Sequence, residues 1–518
     1  MTRKAVFPIV VLFCLVAVAA GMRWNSMSRT QVIETDGCGY VRLAQLFSGV
    51  EMDRPDAEAL RSSYPPGYPL GIRLMHGWID DWETAGRVFS ILCGSALVIL
   101  VFFLCRYLYG QQAAFWAALL VTIEPVLITA SSQVLTEMSF SFFLIGALGI
   151  SFYFFEKPGL PSSFGAGMLW GICCLIKPEA AGHLLIVITC VLSGFFYAGK
   201  VTGKDRIFFA SFIILGFAAV YAGGVLYGYD KIGSVDFLPN RHNAFGLLHL
   251  HKEGRSYEEI FYGLRGKIES SFALGLRDLL KSYCHQLYFT TQMDVLPRVF
   301  LLPLWVGGVL GLFRSPWDAI LKKKVIFLLL FILFPLFFYP LFLVHERRFV
   351  PIIPLVMIFV AKGIIEFEHW FKETFGRNKW GLVLIFFLIA SSFMPRLTGA
   401  MREKDPFLNE PAEYREAGRW MNEHLPLQAK IMARDPAIAF YADRRWEALP
   451  YGTLAEIVQN AKERQTDYIV FERYFAKLRP NLRYIMESDE ELPGLKLVYR
   501  WDRRPEYKVL VYEVLSQS

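Results

Sequence analysis

Leu135–Phe155, LTEMSFSFFLIGALGISFYFF, is an apolar run with a single carboxylate, Glu137, near its beginning. Its length matches the roughly 20 residues that carry a helix across a bilayer. A charge in hydrocarbon is costly unless it meets a cavity or a partner, so Glu137 marks either the end of a span or a site. Similar runs recur through the first 400 positions. They centre in Ala5–Met22, Gly86–Cys105, Ala113–Ala130, Leu135–Phe155, Phe164–Ile176, Ala180–Tyr197, Ile207–Tyr227, Arg298–Phe313, Val325–Val344, Phe349–Ile365 and Trp380–Phe393. The expectation is an α-helical multispanning membrane protein of about 11 transmembrane helices, the fifth short enough to be tilted or half-crossing.

Composition agrees. Hydrophobic residues make up 54% of the 518 and charged residues 19%, against about 25% charged in a soluble domain. Of 54 Lys and Arg and 47 Asp and Glu, 17 and 19 lie in Asp405–Ser518, so that tail is soluble in composition while the rest is not. An ordinary soluble enzyme is excluded. The tail's slight acidity leaves the excess positive charge dispersed over the hydrophobic part, as loops facing a cytoplasm would carry it, and nucleic acid is not expected as a partner.

The apolar run Ala5–Ala20 after Met1–Lys4 resembles a secretory signal, but further spans follow, and it reads as a retained first helix. The eight cysteines form no CxxC pair, and Cys14, Cys93, Cys105, Cys173, Cys174 and Cys190 fall inside apolar runs, where a thiol behaves as a small hydrophobe. Cys38 and Cys284 lie in polar loops, and a bond between them is open if both face an oxidising compartment.

With the N-terminus inside, the basic loops near Arg106, Lys200–Arg206, Arg314–Lys324 and Lys372–Lys379 fall on the cytoplasmic side. The domain division is then 1–400, a transmembrane domain with outer loops 23–85 and 228–297, and 405–518, an extracytoplasmic α/β domain. Pro65-Pro66-Gly67-Tyr68-Pro69 breaks the first outer loop, predicting one short helix on each side. In the second, Ile268, Phe272, Leu276, Leu280 and Leu287 recur near helical spacing, predicting an amphipathic helix, interfacial or packed on the protein itself. The tail alternates strand-like runs (Lys430–Ala433, Tyr468–Phe471, Leu495–Trp501, Tyr507–Val514) with a helix-like run at Leu454–Arg464, predicting a small α/β domain without a phosphate loop, nucleophile elbow or metal spacing.

In this topology Asp36, Glu137, Lys177, Glu179, His345, Glu346, Arg347 and Arg348 all fall at the outer face. Carboxylates beside several cations on one membrane face suit an anionic headgroup next to a hydroxyl that must lose a proton. Blander readings stand beside this one. Asp36 alone reads as a solvated loop residue, Arg347 and Arg348 as helix anchors on lipid phosphate, Glu124 as satisfied by a neighbouring helix, and His183 as a packing residue. His249 and His251 form an HxH pair with no third ligand at a recognisable spacing, so no metal site is assigned.

The order of these features resembles the C-type glycosyltransferases, multispanning enzymes that use polyprenyl-phosphate sugars, and within them the protein-mannosyltransferase and aminoarabinose-transferase-like branch. The resemblance is carried by Asp36-Gly37-Cys38-Gly39-Tyr40, Tyr64-Pro65-Pro66-Gly67-Tyr68, Gly86-Arg87-Val88-Phe89-Ser90, Leu135-Thr136-Glu137, Lys177-Pro178-Glu179, and Arg347-Arg348-Phe349-Val350-Pro351-Ile352-Ile353-Pro354. It implies Asp36 as general base and Glu137 as a second acidic position supporting the acceptor or the loop. It offers Lys177, Arg347 and Arg348 to the lipid phosphate, and Tyr40, Tyr64, Tyr68, His345 and Glu179 to an acceptor or sugar pocket. Gly37 stands where an acid often follows the aspartate, which weakens metal binding there. Tyr64 stands where a base often precedes the prolines, which shifts phosphate binding towards Arg61, Arg73 or the later cations.

The expected activity is therefore inverting transfer of a sugar from a polyprenyl-phosphate donor to a hydroxyl or amine of a lipid, glycan or protein acceptor. It is expected on the extracytoplasmic face of a plasma (bacterial inner) membrane, with no cofactor required and a divalent metal left open but not indicated. The alternative is a lipid-carrier or glycolipid transporter without glycosyl transfer, although the paired, interrupted halves of such proteins are not evident. A third reading is a membrane scaffold that binds through its tail.

Overall fold

The computed structural model describes residues 3–197, 201–232, 318–341, 346–376, 411–487, 492–503 and 507–515, with isolated residues between 277 and 311 and between 381 and 394. These fall into two compact units. One holds 3–28, 39–232 and the described residues from 280 to 394; the other holds 29–38, Arg277 and 411–515.

The first unit is helical. Six helices among the described residues are long and apolar enough to cross a membrane, and a bent pair brings the number to as many as seven. The long spans include α1 (Arg3–Met27), α5 (Trp82–Tyr109), α8 (Glu137–Glu156) and α11 (Gly203–Ile232). Two shorter apolar helices, α9 (Leu160–Ile176) and α10 (Ala180–Ser193), match the fifth and sixth expected spans. The expected spans Arg298–Phe313 and Trp380–Phe393 lie largely outside the described residues, as do the amphipathic repeat's first three positions, His249 and His251. On α1, Phe7, Val10 and Phe13 are exposed, an apolar surface that lipid would cover. This is a multi-pass membrane protein.

Where helices meet, small residues set the distance. A Cβ on Gly167 of α9 would come within 2.0 Å of the Ile213 carbonyl oxygen of α11, and one on Gly216 of α11 within 2.2 Å of the Phe164 carbonyl oxygen. Between hydrocarbon-soluble helices, such backbone approach supplies the packing that water would otherwise drive.

The third expected span is broken. α6 (Gln111–Ile123) and α7 (Pro125–Ser131) meet at an angle of 56°. Pro125 has no N–H, so the Val121 carbonyl loses its helical donor. Arg23 of α1 supplies the replacement: fully buried, it donates to Val121 O at 3.1 Å, Thr122 O at 3.4 Å and Ser131 Oγ at 3.1 Å. Glu124 caps α7 by accepting from the Val126 amide at 3.3 Å. Arg23 thus belongs to the first helix, which runs five residues past the expected Met22, and not to an outer loop.

The 23–85 segment holds three short helices: α2 (Thr35–Phe47), α3 (Arg54–Ser63) and α4 (Gly67–His76). Two precede the proline pair where one was expected. Later come α12 (Ala319–Phe338), a 3-10 turn Tyr339–Leu341, a 3-10 segment Glu346–Ile352 and α13 (Ile353–Phe375). Cys38 and Cys284 are both unbonded thiols.

The second unit centres on a five-stranded sheet, order β2-β1-β3-β5-β4. β1 (Lys430–Ala433) runs parallel to β2 (Arg445–Ala448) and to β3 (Tyr468–Glu472); β5 (Val509–Val514) is antiparallel to β3 and to β4 (Leu495–Trp501). Met432, Ile469, Phe471, Leu510 and Tyr512 pack one core with Ile457 and Ala461 of α16 (Leu454–Glu463). Between β1 and β2 runs α15 (Pro436–Tyr441), and before β1 runs α14 (Ala412–His424). The four expected strands and the expected helix are present; β2 is the addition.

Candidate active site

α8 and α9 are joined by three residues and pack together as a hairpin, so the start of one and the end of the other share one end of the bundle. Glu137 is in the first turn of α8 and Lys177 is the C-cap of α9. An anion at a helix N-terminus and a cation at a C-terminus are each favoured by the helix dipole. Both side chains are buried, and Lys177 Nζ lies 3.2 Å from Glu137 Oε1. The ammonium also lies 5.7 Å from the Phe140 ring centroid. Pairing makes burial of either charge tolerable.

Two more elements reach this end. The Glu346–Ile352 segment packs on α8, and its Arg347 lies within electrostatic reach of Glu137. Arg348 lies 5.7 Å over the ring of Tyr339, which Glu179 and Glu137 also influence electrostatically. Arg347, Arg348 and Glu179 are half-buried. Five residues singled out from sequence, Glu137, Lys177, Glu179, Arg347 and Arg348, therefore meet at one end of the first unit. Tyr339 was not among them; its neighbour in sequence, Pro340, follows an apolar run and gives no polar signal.

The other motifs interlock beside this cluster. The Tyr68 hydroxyl bonds the Gly86 carbonyl at 3.1 Å and Ser90 Oγ at 2.8 Å, and Ser90 Oγ donates to Leu135 O at 3.4 Å, two residues before Glu137. One hydrogen-bond chain thus joins three of the sequence motifs. Gly67 fits where a Cβ would meet the Leu175 backbone at 2.7 Å, two residues before Lys177, and a Cβ on Gly39 would enter the Tyr64 ring at 2.2 Å. Tyr40 packs edge-on against Tyr64 and Tyr68, with centroids 5.0 and 5.2 Å away. Tyr68 is fully buried and Tyr64 half-buried.

Arg61 and Arg73 make contacts of their own. Arg61 is buried and donates to Val225 O of α11 at 2.9 Å. Arg73 is exposed, 5.5 Å over the Tyr227 ring. Arg87 pairs with Glu83 at 2.5 Å along α5. Asp36, second residue of α2, falls in the second unit. His345 lies outside the described residues. His183 is buried among Trp170, Phe331 and Phe334. Among the described residues no group of three His, Cys, Asp or Glu side chains is placed to hold a metal ion.

Residues 63–222 match the family described as dolichyl-phosphate-mannose-protein mannosyltransferase. No curated protein matches the sequence. In fold, the chain is similar to ArnT from Cupriavidus metallidurans in its apo state, with TM-score 0.60 and 14% identity over 98% of both chains. It is also similar to ArnT bound to undecaprenyl phosphate, with TM-score 0.59 and 12% identity over 96% of this chain and 97% of that one. A third likeness is to the oligosaccharyltransferase AglB from Archaeoglobus fulgidus in complex with an inhibitory peptide and a dolichol-phosphate, with TM-score 0.60 and 14% identity over 92% of this chain and 70% of that one. At these identities the structural likeness is one of fold. The resemblance drawn from the motifs holds in sequence over 63–222 and in fold over nearly the whole chain; the matched family is one of glycosyltransferases.

Proposed function

We propose that the chain transfers a sugar, with inversion, from a polyprenyl-phosphate donor to a hydroxyl or amine acceptor on the extracytoplasmic face of the membrane. The observation that carries this reading is the buried Glu137–Lys177 pair flanked by Arg347 and Arg348, at the end of the bundle where the motifs of the matched family segment interlock. Cations there would receive a lipid phosphate, the group bound in the ArnT and AglB structures of the same fold.

The chemistry suits the residues. The acceptor oxygen or nitrogen forms a bond to the anomeric carbon as the bond from that carbon to the phosphate oxygen breaks, and the bonding electrons leave on the phosphate. Phosphate is a stable anion, so the leaving oxygen needs no strong acid; fixed Arg and Lys charges stabilise the charge that grows there. The acceptor's proton passes to a carboxylate on the opposite side of the sugar, the inverting half of glycosidase logic. Asp36 is assigned this base. Glu137 holds the Lys177 ammonium in place and is a positioning residue.

Asp36→Asn should abolish transfer while polyprenyl phosphate still binds, and Arg347→Glu should weaken that binding. Near-normal turnover in Asp36→Asn removes the base; unchanged lipid-phosphate affinity in Arg347→Glu moves the phosphate site elsewhere.

A further inference from the structure

The second unit holds two stretches of chain far apart in sequence, 29–38 and 411–515, and among the described residues Tyr441, Asp435 and Arg415 of the C-terminal α/β fold reach from one to the other. Tyr441, at the end of α15, accepts a hydrogen bond from the Ile33 amide at 2.7 Å. Asp435 accepts from Thr35 Oγ1 at 3.2 Å through Oδ2, while its Oδ1 caps α15 by accepting from the Ala437 amide at 3.0 Å. Arg415 of α14 donates to the Gln31 carbonyl at 3.0 Å and covers the Tyr441 ring at 5.4 Å. The anchors are themselves fixed: a Cβ on Gly418 of α14 would lie 2.5 Å from Tyr441 Cβ, so the helix presses directly on that tyrosine. Val32 and Ile33 are buried.

Residues 31, 33 and 35 are anchored in this way, and the next residue is Asp36. Residues 29–34 belong to no helix or strand, and α2 starts at Thr35. A segment outside helix and strand has no ladder of regular backbone bonds, so contacts from other elements fix its path. A reacting group must be held to within about 0.5 Å of its productive position. The C-terminal fold supplies three such contacts here.

We infer that the C-terminal α/β unit is a positioning platform for the Asp36 turn, with Tyr441, Asp435 and Arg415 as its positioning residues. The inference rests on the assignment of Asp36 as base. It gives the tail a role in turnover, separate from donor binding.

Full-length protein in detergent tests it by two readouts. In the first, hydrogen–deuterium exchange follows the peptide covering 29–38. Tyr441→Phe, which removes the acceptor, should speed exchange of that peptide at least about tenfold while β1, β3 and β5 stay protected. In the second, Tyr441→Phe and Thr35→Val should each lower kcat, and together lower it on the order of 10²-fold, with the affinity for undecaprenyl phosphate unchanged. Thr35→Ser, which keeps the hydroxyl, should turn over near the unsubstituted rate. Unchanged exchange in Tyr441→Phe overturns the anchoring, whatever the fate of Asp36. Unchanged kcat in the double variant, beside an inactive Asp36→Asn, overturns the positioning role while leaving the base in place. A fully active Asp36→Asn removes the base and with it the consequence for turnover, and the exchange readout then decides whether the platform exists.

Discussion

Removing the Glu137–Lys177 pair one charge at a time, and then together, separates its structural from its functional part. At 3.2 Å, opposite unit charges attract by about 5 kcal/mol at an effective dielectric near 20. Desolvation offsets much of this, and removing one partner leaves the other charge buried, typically at a cost of about 3–5 kcal/mol. Glu137→Gln and Lys177→Met should each destabilise the protein by about 3 kcal/mol. The double variant removes both charges with little change in volume and should recover to within about 1 kcal/mol of the parent, giving a coupling energy of several kcal/mol. Unfolding in mixed detergent micelles, followed by tryptophan fluorescence, measures all four forms. The affinity for undecaprenyl phosphate should not recover with stability: the double variant lacks the Lys177 cation and should bind at least about tenfold more weakly than the parent. Additive single-variant losses would refute the buried pair, and parental affinity in the refolded double variant would refute Lys177 as a phosphate ligand.

Three further outcomes follow from the packing and charge. Arg23→Met removes the donors that satisfy Val121 O and Thr122 O at the helix break and should cost about 3 kcal/mol; an unchanged melting temperature in detergent would show that the break is satisfied otherwise. Gly67→Ala sets a Cβ 2.7 Å from the Leu175 backbone and should destabilise by about 1–3 kcal/mol, whereas Gly165→Ala, in open space, should be close to neutral; equal effects in the two would refute the close approach. Glu413, buried on α14 with Arg473 Nε at 3.2 Å, has its carboxyl pushed up from 4.5 to about 7 by burial. The folded form therefore holds this proton more tightly than the unfolded form. Its stabilisation is fully present below pH 4.5, is lost as pH rises to about 7, and changes no further above that, a swing on the order of 3 kcal/mol. Hydrogen exchange of β3 and β5 across this range should show the loss in the parent and a flatter profile in Glu413→Gln; identical profiles would place the titration elsewhere.

Much of this architecture was legible because membrane spans and buried strands announce themselves by composition over many residues. Nine of the expected apolar runs lie largely on described helices, and Lys430–Ala433 and Leu495–Trp501 form strands with the expected bounds. The misses share a physical cause: they depend on partners distant in sequence. Arg23 looks like the charged edge of an outer loop because its acceptors lie on a helix about 100 residues away; Pro125, which deprives Val121 O of its donor, was the available signal. β2, Arg445-Trp446-Glu447-Ala448, is a short and charged edge strand, the composition that protects a sheet edge and also hides it from pattern. Within the candidate site, Glu137 and Lys177 were visible as charges bordering apolar runs. That Gly39 makes room for the Tyr64 ring, or that Tyr441 holds the Ile33 amide, depends on contacts between segments that no local spacing encodes.

A single-turnover reaction tests inverting transfer with Asp36 as base. Purified full-length protein is given a panel of undecaprenyl-phosphate sugars with a membrane-lipid acceptor fraction, and free undecaprenyl phosphate and the anomeric configuration of the product are measured. At least one donor should release its lipid phosphate in step with an inverted glycoside, and Asp36→Asn should release none. Retained configuration, or equal release by Asp36→Asn and the parent, would contradict inverting transfer with Asp36 as base.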